Sequence, residues 1–166
     1  MTHTSTIGGD PRLAPWHGPF PLVHRLPEAA RSRLAGLTAR VTFAAGEVVL
    51  PEGIVTPYLG TVIAGRVALR LHVPERGGRT ILTLEGGDLL GWSALVPPYR
   101  TTSLAVAVEA TELAILEAAT LRSALEEDAA LAAAIYPAVL AAVAERLSTS
   151  RQQLLDLFRG TTVEPW

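Results

Sequence analysis

The spacing of hydrophobic positions changes character twice along the chain. Over residues 1–21 apolar side chains stand only at scattered places such as Leu13, Trp16 and Phe20, among Gly, Pro, Thr and His. Without a period to bury a face, residues 1–22 are expected to form an irregular arm. Pro27 then stands where a helix favours its first residue, and Ala29, Ala30, Leu34 and Leu37 follow before Gly36 and Thr38 weaken the pattern, which predicts a short helix. Between 41 and 116 the chain alternates short β-branched and leucine-rich runs (47–50, 59–63, 67–73, 80–84, 104–108 and 113–116) with turns rich in glycine. Short, evenly spaced strands of this kind predict an antiparallel sandwich or barrel.

Past Leu116 the period becomes helical. Leu121 and Leu125 mark a short segment, and Asp128 is placed to cap the next one. Pro137 has no N–H to donate and disfavours helix at Tyr136, so a kink or restart is expected there, with the long helix proper over 137–158. Along that helix Leu140, Val143, Leu147, Ser150, Leu154 and Leu157 alternate spacings of three and four, a seam that packs against another helix. A second stripe, Val139, Ala142 and the stem of Arg146, is placed to face the barrel. Two buried stripes on one terminal helix predict a homodimer through Leu140, Val143, Leu147, Leu154 and Leu157; the plainer alternative buries both within one subunit. The expected organisation is an arm (1–22), a β-barrel (23–118), C-terminal helices (119–159) and a tail (160–166).

Composition narrows the function classes. At 166 residues with 49% hydrophobic and 18% charged residues, the chain suits one globular domain with a single core. Cysteine is absent, which removes disulfides, thiolate nucleophiles and cysteine metal sites. The start, Met1-Thr2-His3-Thr4-Ser5, has no basic segment leading into an apolar run, so the cytoplasm is the expected location. The alanine-rich stretch 129–144, interrupted by Tyr136-Pro137, is a poor membrane span. Net charge is −2, with all 14 basic residues arginine, and no basic face for nucleic acid is visible.

The order of elements and the words Gly46-Glu47, Glu52-Gly53, Gly65-Arg66-Val67, Gly87-Asp88-Leu89-Leu90-Gly91, Ala94-Leu95 and Arg100-Thr101 resemble the cyclic-nucleotide-binding domain of the catabolite activator (Crp/Fnr-like) family, in a short form without a DNA-binding domain. The resemblance covers about residues 23–158. It implies a mainly β fold with helices: an antiparallel double-stranded β-helix, or jelly-roll barrel, flanked by a short N-terminal helix and a long C-terminal dimerisation helix. It also implies a ligand segment within residues 88–102, where Gly91, Trp92, Ser93, Ala94, Leu95, Arg100 and Thr101 would cradle a cyclic phosphate. Amide groups near Ser93 to Leu95 can point at an anion, Arg100 can supply a charge-assisted fork, and Thr101 a hydroxyl.

Trp92 departs from that pattern. The family has a glutamate there that accepts from the ribose hydroxyl, whereas an indole only donates. An unpaired buried hydroxyl costs roughly 1–3 kcal/mol, or about one to two decades of affinity, which argues against cAMP or cGMP held in the family's usual way. Trp92 can stack on a base, shape a different pocket or plug an empty one. Ser150 either reaches a nucleotide base from the helix seam, as the resemblance implies, or sets the register of the seam.

Other chemistry has less support. Gly91-Trp92-Ser93-Ala94-Leu95 lacks the last glycine of a nucleophile elbow, and nothing sets His72 and Asp88 beside Ser93 as a triad. The histidines His3, His17, His24 and His72 show no ligand spacing for a metal. Glu126-Glu127-Asp128 fits a solvated helix end. Residues 160–166 leave no room for a recognition helix, so direct DNA binding is not expected. The reading is a non-enzymatic sensor that binds a cyclic nucleotide or other anionic small molecule and signals through a partner protein; its rival is a dimeric interaction module with a ligand-free pocket.

Overall fold

The computed structural model describes residues 10–16, 26–73 and 77–159. Of the residues named above, His3, His17, Phe20 and His24 and the tail 160–166 lie outside the described residues, as do the side chains of Leu154 and Leu157.

Among the described residues, nine strands and three helices follow in the order β1 (Ala14–Pro15), α1 (Glu28–Ala35), β2 (Thr38–Phe43), β3 (Val48–Leu50), β4 (Tyr58–Ala64), β5 (Val67–Val73), β6 (Gly77–Leu84), β7 (Leu89–Leu90), β8 (Leu104–Ala107), β9 (Thr111–Glu117), α2 (Ala118–Glu127) and α3 (Ala129–Arg159), with a 3-10 turn at Trp92–Ala94. The strands form two antiparallel sheets, β1-β2-β9-β4-β7 and β3-β8-β5-β6. Their crossing connections make the jelly roll that the sequence implied.

Alternation along the strands builds two cores. On β9, Leu113 and Ile115 point between the sheets, where they meet Val41, Leu50, Val62, Leu69 and Leu84, while Ala114 and Leu116 point outward under the helices. β7 divides in the same way: Leu90 enters the barrel and Leu89 the helical core. That second core joins Leu34 of α1, Leu121 and Leu125 of α2, and Leu131, Ile135 and Val139 of α3. The helices therefore pack onto the five-stranded sheet and fix where α3 leaves the barrel.

Three local features differ from the sequence reading. Within the arm expected to be irregular, Ala14–Pro15 pairs with Ala39 and Arg40 as an edge strand. β6 begins at Gly77, three residues before the expected start, because Gly77 and Gly78 continue the pairing with Val73 and His72. In place of the expected restart at Pro137, one helix of 31 residues runs through that position. Pro137 and Ala133 both lie on the solvent face, so water can take the carbonyl bond that proline cannot supply. Asp128 caps α3 as its position predicted, accepting from the Leu131 amide at 2.9 Å. By length and composition α3 could cross a membrane, but Leu131, Ile135, Ala138 and Val139 are buried on the barrel.

Along the helix seam, Leu140 and Leu147 are 69% and 51% exposed. Val143 instead packs partly against the helical core, and Ser150 is exposed.

Candidate functional site

The segment from Asp88 onward is anchored before it reaches the cavity. The Asp88 carboxylate accepts from the Glu85 amide at 2.8 Å, and its carbonyl accepts from the Val62 amide at 3.0 Å, tying the turn to β4. Gly91 follows with φ of +69°, so close to β4 that a Cβ there would lie 2.3 Å from the Tyr58 carbonyl oxygen. Only glycine satisfies both conditions. Tyr58 is itself held by its hydroxyl, which donates to the Val49 carbonyl at 2.8 Å; burial pushes its phenol up, opposed by Arg12.

The 3-10 turn then closes on itself. The Ala94 amide donates to Gly91 and the Leu95 amide to Trp92, so two of the amides expected to face an anion are used within the turn. Ala94 and Leu95 point into the helical core. Ser93 is buried with its hydroxyl 2.8 Å from that of Thr56. Arg122 of α2 clamps the segment from behind: its guanidinium donates to the Ala94 carbonyl at 2.8 Å and stacks over the Tyr99 ring at 4.8 Å. Tyr99 takes a positive φ of 59° in that position.

Arg100 and Thr101 both tie this segment to residues 51–56. Arg100 is exposed and donates from Nη1 to the Gly53 carbonyl at 2.6 Å. Thr101 donates its hydroxyl to the Pro51 carbonyl at 2.5 Å and accepts from the Ile54 amide at 3.1 Å. The single O–H of Thr101 is therefore committed to the backbone.

A cavity of about 320 Å³ opens between the four-stranded sheet, this segment and α3. Leu50, Leu69, Leu90 and Ala105 form its apolar floor, and Leu71 and Ile81 its half-open mouth. Gly91, Trp92 and Ser93 line it as well, together with the hydroxyl-bearing Thr101, Thr102 and Ser103. Arg146 reaches in from α3 and donates from Nη2 to the Leu89 carbonyl. Burial lowers its pKa, and the nearby Asp88 carboxylate opposes that effect. An arginine remains charged through such a shift.

Of the residues nominated from sequence, the structure thus brings Gly91, Trp92, Ser93 and Thr101 to the cavity wall. Ala94 and Leu95 lie behind it, Arg100 lies outside it beside Gly53, and Ser150 lies further along α3. Leu69, Leu71, Ile81, Ser103 and Arg146, which no sequence motif marks for the site, line the cavity too. For Arg146 the signal was present, since its stem was expected to face the barrel. What lay at its tip depended on where the helix docks.

The profile of the cyclic nucleotide-binding domain matches residues 40–128. Among solved structures, a Geobacter metallireducens GS-15 protein described as cyclic-nucleotide-binding is 26% identical with a TM-score of 0.69, covering 77% of this chain and 92% of its own. A cyclic nucleotide-binding domain of Methylobacillus flagellatus KT shares the fold over 94% of this chain and 93% of its own, with a TM-score of 0.76 and 19% identity. The catabolite activator protein of Thermus thermophilus is 26% identical with a TM-score of 0.63; the match covers 84% of this chain and 63% of that one. No curated protein matches the sequence.

Proposed function

The chain belongs to the cyclic nucleotide-binding domain family, and from that premise we propose that it is a non-enzymatic sensor whose cavity takes a small anionic molecule, a cyclic nucleotide among the candidates. Domains of this family are regulatory rather than catalytic. The observation that carries the reading is the cavity itself. Its volume lies at the small end of the range for ligand sites, and its apolar floor, hydroxyl-bearing side and single guanidinium suit a compact molecule with one charged end. A ligand there would touch both the barrel and α3. It would favour one placement of the helix over another, which a partner protein in the cytoplasm could read.

We also propose a homodimer along α3, supported by the exposed Leu140 and Leu147 one heptad apart. Sedimentation of Leu147→Asp beside the wild type tests it: the variant is expected to run as a monomer, and an unchanged dimer mass rejects this seam. The rival reading, a dimeric module with no ligand, draws support from Trp92, which packs against the helical core while lining the cavity. Calorimetry and thermal denaturation with cyclic mononucleotides and cyclic dinucleotides separate the two. Binding of any one supports the sensor, whereas absence of both heat and stabilisation for all of them removes the nucleotide reading.

A further inference from the structure

The resemblance nominates Arg100 and Thr101 for the anion, yet both are committed to other partners. Arg100 sits outside the cavity on the Gly53 carbonyl, and the Thr101 hydroxyl is spent between Pro51 and Ile54. Among the described residues, the only cationic side chain in the cavity wall is Arg146. It is half-buried, holds the Leu89 carbonyl through one nitrogen, and no ion pair to it is found among the described residues. A guanidinium has five N–H donors, so one carbonyl leaves most of its fork for another acceptor. Asp88 acts on it only from a distance, since its carboxylate accepts from the Glu85 amide, and a partly desolvated charge without an ion pair is the situation an incoming anion relieves.

We propose that Arg146, from the long helix, is the anion-binding residue of this cavity, and that Arg100 serves only to fasten the segment to residues 51–56. The inference rests on the sensor reading above and narrows its ligand. One guanidinium balances one charge, which favours a monoanion such as a phosphodiester or carboxylate over a phosphate monoester carrying about 1.5 to 2 charges near neutral pH. The body of the ligand would lie against Leu69, Leu71 and Ile81, and Trp92 lines the same cavity as Arg146.

Two measurements on the full chain test this. In calorimetry, cAMP and cGMP serve as cyclic phosphodiesters and 5′-AMP as the monoester. Gln keeps a polar side chain of similar stem without the charge, and circular dichroism checks that Arg146→Gln folds. It should weaken the cyclic compounds by about thirtyfold or more, Arg146→Lys should recover part of that loss, and Arg100→Gln should stay within about threefold of wild type. The reverse ranking of Arg146→Gln and Arg100→Gln overturns the inference, as does tighter binding of 5′-AMP than of either cyclic compound.

The second measurement needs no nucleotide. With Trp16→Phe and Trp166→Phe in the background, Trp92 is the only remaining indole, and its fluorescence can be quenched by iodide, a monoanion, or by neutral acrylamide. Arg146→Gln should lower iodide quenching about two- to threefold relative to acrylamide, through loss of local anion concentration, while Arg100→Gln leaves the ratio unchanged. An unchanged ratio in Arg146→Gln refutes the anion site. If the ratio falls but no nucleotide binds, Arg146 stands as the anion residue and the cyclic-nucleotide reading falls alone.

Discussion

Replacing Gly91 by alanine should be among the most damaging single-methyl additions in this protein. The backbone there has φ of +69°, and the new Cβ would sit 2.3 Å from the Tyr58 carbonyl oxygen. The left-handed conformation alone costs a residue with a Cβ about 1–2 kcal/mol. The clash adds to it, because the obstacle is backbone at the start of β4, and overpacking against a fixed neighbour costs roughly 1–3 kcal/mol more. Gly87 isolates the first contribution: its φ is +97°, but a Cβ there meets nothing within 4 Å. Urea unfolding should therefore place Gly87→Ala about 1–2 kcal/mol below wild type and Gly91→Ala about 2–5 kcal/mol below it. Equal losses for the two variants would refute the argument that contact with Tyr58, and not backbone conformation alone, makes glycine obligatory at 91.

Thr101→Val keeps the shape but strips the Pro51 carbonyl and Ile54 amide of their partner, and should cost about 1–3 kcal/mol in thermal or urea unfolding, with Thr101→Ser restoring most of it. Asp128→Ala should lose about 1 kcal/mol and speed amide exchange in the first turn of α3, Leu131 above all; unchanged exchange there would contradict the capping role. The side-chain hydrogen bond from Arg12 holds the Asp10 carboxyl down at about 2, from 3.8. Because the folded value is the lower one, the contribution of Asp10 is complete above pH 3.8 and disappears as pH falls through about 2. The stability difference between wild type and Asp10→Asn should accordingly narrow across that window, and a difference independent of pH would contradict it.

The parts of this fold that are legible in sequence are those where local pattern and global packing agree. The strand runs at 67–73 and 113–116 alternate because one face meets the opposite sheet and the other meets helices or solvent, and the Asp128 cap needs only its own next turn. β1 was not legible, since Ala14–Pro15 carries no strand pattern and owes its pairing to the neighbouring edge of β2. The uninterrupted helix through Pro137 was hidden for a related reason: the local penalty of proline is real, but burial of Leu131, Ile135, Ala138 and Val139 on the same surface outweighs it. At the site, sequence words located the turn and the glycine at its centre. They did not disclose which side chains face inward after the Pro97-Pro98-Tyr99 stretch, because the tie between Arg100 and Gly53 is made across 47 residues of chain. Arg146 approaches from still farther away, bonding a carbonyl 57 residues earlier.

The continuity of α3 has a mechanical consequence. At about 1.5 Å per residue, the stretch from Val139, the last of its fully seated side chains, to Arg159 spans roughly 30 Å, its first third still held at the barrel by Val143 and Arg146. Because the helix runs on through Pro137, a tilt of about 5° at the barrel would carry the far end sideways by roughly 2–3 Å over that length. Such a lever gears a displacement too small to disturb the core into one large enough to change which surfaces meet at its tip. Its gain is set by rigidity along α3, so inserting a flexible Gly-Gly pair beyond Arg146 would uncouple the tip from the barrel while leaving the cavity whole.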